Sequence, residues 1–221
     1  MKPLHKPLIT RLSRLLVAGL ALMALGACSV LRPTATPQPA FYALDSLPGA
    51  AATATPTTPA ATALTLIINP PRAAAGFDSQ RILYLREPYK LEYFAHGEWV
   101  DLPARMLAPL LIAAVQASGA FRAVVLTAGA AAGDLRLDTE IIRLQHDFQL
   151  QPSRVRFTLR AYLVEDKTRR VLAWREFEGN VAATSEDPYG GVVAANAAVQ
   201  AVLQDLSRFC AEAARSAPVA K

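Results

Sequence analysis

Three long runs in the second half of the chain alternate apolar with polar positions, and two other runs repeat apolar residues at helical spacing. In Leu135–Ile141 the odd positions are mostly apolar and the even ones, Arg136, Asp138 and Glu140, are charged. Val155, Phe157, Leu159, Ala161 and Leu163 repeat that pattern against Arg156, Thr158 and Arg160. Period two predicts strands with one buried face and one wet face. The third run, Val171 to Ala183, is less regular, mixing Leu172 and Trp174 with Arg175 and Glu176. Lys167-Thr168-Arg169 supplies the turn before it, so the three runs predict an antiparallel meander.

The first helical run holds Met106, Leu107, Leu110, Leu111, Ala114 and Val115 on one stripe. Asp101 is its expected N-cap, Pro103 suits a first turn, and Ser118-Gly119 ends it. Pro109 falls inside the pattern and predicts a kink or a late start. The second run starts at Asp187-Pro188 and carries Val192, Ala195, Val199, Val202, Leu203, Leu206 and Phe209. Upstream, Phe41–Leu44 and Leu64–Ile68 read as short strands, and Arg72 to Ser79 as a loop. Arg81–Arg86 and Tyr89–Phe94 read as a hairpin turning at Glu87-Pro88, with a further turn at His96-Gly97. Phe121–Leu126 is another strand, followed by a flexible turn from Gly129 to Gly133. The expected fold is α+β: a mixed, largely antiparallel sheet with two amphipathic helices packed on one face.

The N-terminal stretch has a different character. Lys2, Lys6, Arg11 and Arg14 precede an apolar run from Leu15 to Leu25, and Gly26 and Ala27 then lead to Cys28. These are the three parts of a secretory signal. The run is about half the length a spanning helix needs. Leu25-Gly26-Ala27-Cys28 resembles the bacterial lipobox, which implies cleavage before Cys28, lipid transfer to its thiol and acylation of its new amino group. A thiolate is the nucleophile that such a transfer needs. Ser29 resembles the outer-membrane sorting class. The expected organisation is a signal peptide over 1–27, the lipidated Cys28 with a Pro- and Thr-rich tether over 28–40, and one domain over 41–215. The domain includes a low-complexity Ala/Thr/Pro loop over about 47–63, and residues 216–221 form a frayed tail.

Composition changes the picture in two ways. The chain is formally +5, but four of its 23 basic residues lie before Cys28, leaving 19 basic against 18 acidic residues. A nearly neutral domain gives nucleic-acid binding little support. Cys28 and Cys210 are the only cysteines, so a lipidated Cys28 leaves Cys210 without an intrachain partner. Cys210 falls on the apolar stripe of the last helix and reads as buried and inert.

Candidate chemistry is sparse. His96 sits in a turn and His146 near the end of an exposed strand, neither with a partner at metal-ligand spacing. There is no Gly-x-Ser-x-Gly elbow and no phosphate loop. No catalytic residue, metal or cofactor is assigned. Arg154, Arg156 and Arg160 line one polar strand face and read as solvated rather than as a docking patch.

The run Arg81-Ile82-Leu83-Tyr84-Leu85-Arg86, then Leu91-Glu92-Tyr93-Phe94, then Glu98-Trp99-Val100-Asp101-Leu102-Pro103, resembles the ABC-type transport auxiliary lipoproteins, which include the lipoprotein of the paraquat-inducible Pqi system. Tyr84 and Trp99 match that pattern. Arg86 is displaced by one position, Phe94 replaces a second Tyr, and Glu98 replaces a basic residue. Ser118-Gly119-x-Phe121 and Phe41-Tyr42-x-Leu44 match as well, so the resemblance runs from about Phe41 to Ala213. It implies a non-enzymatic partner of a permease, an ATPase and an MCE-domain periplasmic protein that move lipids or lipid-like compounds across a Gram-negative envelope. It places the protein on the periplasmic face of the outer membrane. Tyr84, Arg86, Tyr93 and Trp99 are the partner-binding candidates, with Trp99 open to either a packed or an exposed role. Strand edges leave a homo-oligomer open. The alternatives are a structural lipoprotein docked on another envelope complex, and a carrier holding lipid in a cavity between sheet and helices.

Overall fold

The structure, a computed structural model, describes residues 38–45, 63–127 and 132–216. The expected signal, Cys28, most of the tether, the low-complexity loop and the tail lie outside the described residues. In chain order the elements are β1 (Ala40–Tyr42), β2 (Thr65–Ile68), β3 (Arg72–Ala73), β4 (Arg81–Glu87), β5 (Lys90–Trp99), α1 (Pro103–Ala117), β6 (Ala123–Leu126), β7 (Leu135–Asp147), β8 (Arg154–Glu165), β9 (Val171–Ala182) and α2 (Pro188–Ser216).

β7 is the spine of a nine-stranded sheet. Along one edge it pairs antiparallel with β8 from Leu135↔Glu165 to Asp147↔Arg154. Its other edge is shared by three short parallel partners in succession. β2 pairs through Leu66↔Leu135, β3 through Ala73↔Ile141, and β4 through Tyr84↔His146. The long pairs, β7–β8 and β8–β9, form the expected antiparallel meander, while most short strands join in parallel. β1 adds in parallel to β5, with Ala40 opposite Gly97.

A bulge decides which residues of β7 face the core. Ile141 pairs with Leu159 but Arg143 pairs with Thr158, so Ile142 has no opposite number. One extra residue reverses the in–out alternation beyond it. Without the bulge, Arg143, Gln145 and Asp147 would turn inward. With it, Leu144 and His146 do, opposite Phe157 and Val155. His146, expected near the end of an exposed strand, is therefore buried at 2% exposure.

A second bulge replaces the expected turn at His96-Gly97. Arg81 pairs with Glu98 and Leu83 with Tyr93, so two steps along β4 match five along β5. β5 continues through the irregularity to Trp99 instead of ending at it. The hairpin turn itself falls at Pro88-Tyr89, with Tyr89 in the left-handed region at φ 66°.

Both helices close over the same face and feed one apolar cluster with Leu137, Ile141, Phe157, Leu159 and Leu163. α1 begins at Pro103 after Leu102, not after a side-chain cap. Asp101 instead accepts from the Leu102 N–H and from Arg105. Pro109 lies inside α1 without ending it. Asp187 accepts from the Gly190 N–H at 2.7 Å and caps α2 as the sequence predicts. Gly179 lets α2 approach β9, because a Cβ there would lie 2.7 Å from the Ala198 carbonyl oxygen.

Candidate docking site

The four sequence-predicted contact residues separate into three places. Tyr84 faces the helix side of the sheet, where its ring lies 4.6 Å from Phe94 and 5.8 Å from Phe148. Arg86 lies over the rings of Tyr84 and Phe148 at 5.0 and 5.5 Å. Phe148 in turn stacks near His146, with centroids 4.1 Å apart. This corner pins the β4–β5 hairpin to the end of β7. Tyr93 points to the opposite face, half exposed, with Arg81 over its ring at 4.1 Å. Trp99 is 3% exposed and belongs to the core, which agrees with the packed one of its two readings.

Around His146 a polar knot sits inside the apolar layer. Nε2 lies 2.7 Å from Ser153 Oγ, and the Ser153 N–H donates to Glu186. The backbone and side chain of Ser153 hold the Glu186 carboxyl below its usual range. His146 Nδ1 has no partner among the described residues and faces Gly191, where a Cβ would lie 2.5 Å away. Burial pushes the His146 pKa down, against the opposing pull of Glu186, Asp147 and Asp187. Serine, histidine and carboxylate are present, but the carboxylate touches the serine and not Nδ1, and Ser153 is fully buried. A nucleophilic triad needs the carboxylate on Nδ1 and an accessible hydroxyl. The knot fits a structural role. Burial also pushes the Cys210 thiol up to about 12, which keeps it a neutral thiol.

The arginine row on the outer face of β8 is held in place, two of its three members by ion pairs. Arg154 bonds Asn180, Arg156 bonds Glu178, and Arg160 bonds Glu176 and Glu140. Exposed pairs of this kind contribute little stability, but they compensate the charges of Arg156 and Arg160. Beside them, Trp174 is 62% exposed and stacks on Tyr162 at 6.2 Å, a pair that the sequence reading did not single out. Its signal was Trp174 at an outward position of β9, directly opposite Tyr162 of β8.

An open groove of about 900 Å³ runs between α1 and α2, lined by Leu110, Ala113, Ala114, Gln200 and Leu203, among others. Ser207 donates to the Ala114 carbonyl and ties the two helices beneath it. The layer between sheet and helices is filled by fully buried Leu107, Leu111, Phe157, Leu159, Leu163 and Leu206. Among the described residues, no three metal-capable side chains stand together.

The family model of the ABC-type transport auxiliary lipoprotein component matches residues 42–207. The chain belongs to this family. The match spans every described element from β2 to the middle of α2. A crystal structure of a Xanthomonas campestris protein is similar at a TM-score of 0.67 and 22% identity, covering 80% of this chain and 97% of that one. A hypothetical protein from Chlamydia trachomatis is similar at a TM-score of 0.50 and 6% identity, covering 69% and 98%. At these identities the likenesses establish the fold alone. No match was found among curated proteins. Family membership makes the chain a lipoprotein component of ABC-type transport, anchored at a membrane of the cell envelope.

Proposed function

We propose that this auxiliary lipoprotein is the docking component for an MCE-domain periplasmic protein, in a transporter that moves lipids or lipid-like compounds across a Gram-negative envelope. It sits on the periplasmic face of the outer membrane, as Ser29 after Cys28 suggests, and it carries out no bond chemistry. The observation that carries the docking role is exposed Trp174, stacked on half-buried Tyr162 on a strand face rich in ion pairs. An aromatic anchor in a polar surround is the usual composition of an interface hot spot. Tyr84 and Arg86 fix the hairpin on β7 and take no part in that contact.

The competing carrier reading would use the groove between α1 and α2. That groove opens outward between the helices, whereas the layer under them is packed. Among the described residues β9 pairs with β8 alone, so its free edge is also where a second copy would add.

The test is capture of the periplasmic partner by the full-length lipoprotein in detergent, with the captured protein identified by mass spectrometry. An MCE-domain protein should be retained by the wild type and by Arg86→Ala, and lost with Trp174→Ala. Equal capture by Trp174→Ala would overturn the docking assignment. Light scattering on the same samples separates loss of a partner from loss of a homo-oligomer.

A further inference from the structure

We infer that the end of the domain formed by the β4–β5 and β7–β8 turns lies on the lipid surface that holds the anchor, with Tyr89, Leu91 and Leu150 seated among the headgroups. The inference rests on the lipidation of Cys28.

Chain direction is the first support. β1 runs parallel to β5, with Ala40 at Gly97 and Tyr42 at Trp99. Its N-terminal end therefore faces the β4–β5 turn. Length agrees. Arg81 stands opposite Glu98, next to the level of Ala40, and Glu87 stands at the turn. Six steps of about 3.3 Å span roughly 20 Å. Residues 29–39 can extend over roughly 35 Å, enough for the turn to touch the layer that holds Cys28.

Side chains are the second support. Tyr89 at the tip is fully exposed, while Leu91 and Leu150 are 46% and 59% exposed. The two turns are neighbours, because Leu85 pairs with Asp147 and the Phe148 N–H donates to the Leu85 carbonyl. Leu83 pairs with Tyr93 and Leu85 with Leu91, which continues the apolar strip along the outer face of the hairpin. Tyrosine with an apolar body and a polar tip suits the headgroup level of a bilayer. The opposite end of β7, about 40 Å away along thirteen residues, carries Lys167, Arg169 and Arg170 beside exposed Val171.

Charge is not the attraction. Lys90 is already paired with Glu87 and Glu92, and Arg86 lies over Tyr84 and Phe148. Contact by apolar insertion survives salt that would screen an exposed ion pair. The membrane contact also leaves Trp174 free to meet a partner, since Tyr162↔Trp174 lies toward the Lys167 end of β8–β9.

The test uses the full-length lipoprotein reconstituted into vesicles of phosphatidylethanolamine and phosphatidylglycerol. Tyr89→Cys, Leu150→Cys and Lys167→Cys each accept one thiol-reactive, polarity-sensitive dye, because Cys210 is buried and Cys28 is occupied by lipid. Dye at 89 and at 150 should shift its emission to shorter wavelength. Headgroup-level spin-labelled lipid should quench it, in low and high salt alike, while dye at 167 shows neither effect. Unshifted, unquenched dye at 89 and 150 in protein whose mass includes the lipid overturns the inference. Protection that appears only when an MCE-domain protein is added also overturns it. A mass without lipid, with dye on Cys28, means that the anchoring reading has failed instead.

Discussion

His146 Nε2 and Ser153 Oγ meet at 2.7 Å in the interior, and solvent reaches neither residue. The contact ties the end of β7 to the loop that Glu186 holds, and Gly191 of α2 closes over the imidazole. Burial lowers the histidine pKa in the folded protein. An unfolded histidine titrates near 6.5. Below that value the unfolded chain takes up a proton that the native state refuses, so this group's contribution to stability falls as pH falls. The urea midpoint should therefore drop between about pH 7 and pH 5.5. His146→Gln, which keeps a polar contact for Ser153, should flatten that slope. An unchanged slope in the variant would assign the pH dependence to other groups. Glu186 and Asp187, whose pKa values are lowered, lose their contributions only below their unfolded values near 4.

Much of this knot was hidden from sequence for one physical reason. Alternation read from Leu135 to Ile141 is correct, but the bulge at Ile142 reverses parity, and an isoleucine reads as plausible on either face. His146 then seemed outward when it is inward. The bulge before Glu98 was hidden in the same way, because His96-Gly97 carries the composition of a turn. By contrast, β8 keeps strict alternation over five inward residues and was legible throughout, as was the Asp187-Pro188 start of α2. Of the contact candidates, Tyr84 and Arg86 meet, while Trp99 packs where the hairpin enters the first helix, the reading favoured for an aromatic just before a helix. Trp174 was missed because its strand is irregular and its stacking partner lies on another strand.

Trp99 is almost fully enclosed by the cluster that includes Leu44, Ile82 and Met106. Truncating a buried Trp typically costs about 3–5 kcal/mol. Trp99→Ala should lower the urea midpoint by a corresponding amount, and Trp99→Phe by much less. A near-wild-type midpoint for Trp99→Ala would contradict the packing described above.

Arg136 and Asp166 form a buried ion pair, 2.8 Å from Nε to Oδ1, with side chains under 10% exposed. Asn69 accepts from Arg136, and the Gly133 N–H donates to Asp166. The bond from Arg136 is the main cause holding the Asp166 carboxyl below its usual range. Arg169 also reaches Asp166, at 3.3 Å, so the one-sided loss is that of Asp166, which leaves Arg136 buried without a counter-charge and costs about 3–5 kcal/mol. Asp166→Ala should destabilise strongly, and Arg136→Met/Asp166→Leu much less than Asp166→Ala. Because the folded pKa is depressed, this stability is present above about pH 4 and is lost as pH falls below that value.

Gly179 is where helix and sheet come closest. A methyl group there would sit 2.7 Å from the Ala198 carbonyl oxygen and 3.1 Å from its Cα, both backbone atoms that cannot turn aside. Overpacking of this kind typically costs about 1–3 kcal/mol. Gly179→Ala should lower the melting temperature, whereas Gly76→Ala, with open space around it but φ at 93°, tests backbone strain alone. Equal, small losses at both sites would show that α2 can shift along β9.

The last prediction concerns the anchor itself. Family membership makes the chain a lipoprotein, and Leu25-Gly26-Ala27-Cys28 closes an apolar run at the position where a lipid-accepting thiol is needed. Cys210 is no substitute, since it is buried and its thiol is pushed up to about 12. Mass spectrometry of membrane-extracted protein should find a diacylglyceryl group and an acylated amino group on Cys28, with residues 1–27 removed. Cys28→Ser should abolish the modification and release the domain from the membrane fraction. A variant that keeps its lipid would move the anchor elsewhere. A variant without lipid that stays on the membrane would mean that the turn carrying Tyr89 and Leu150 holds the surface without help.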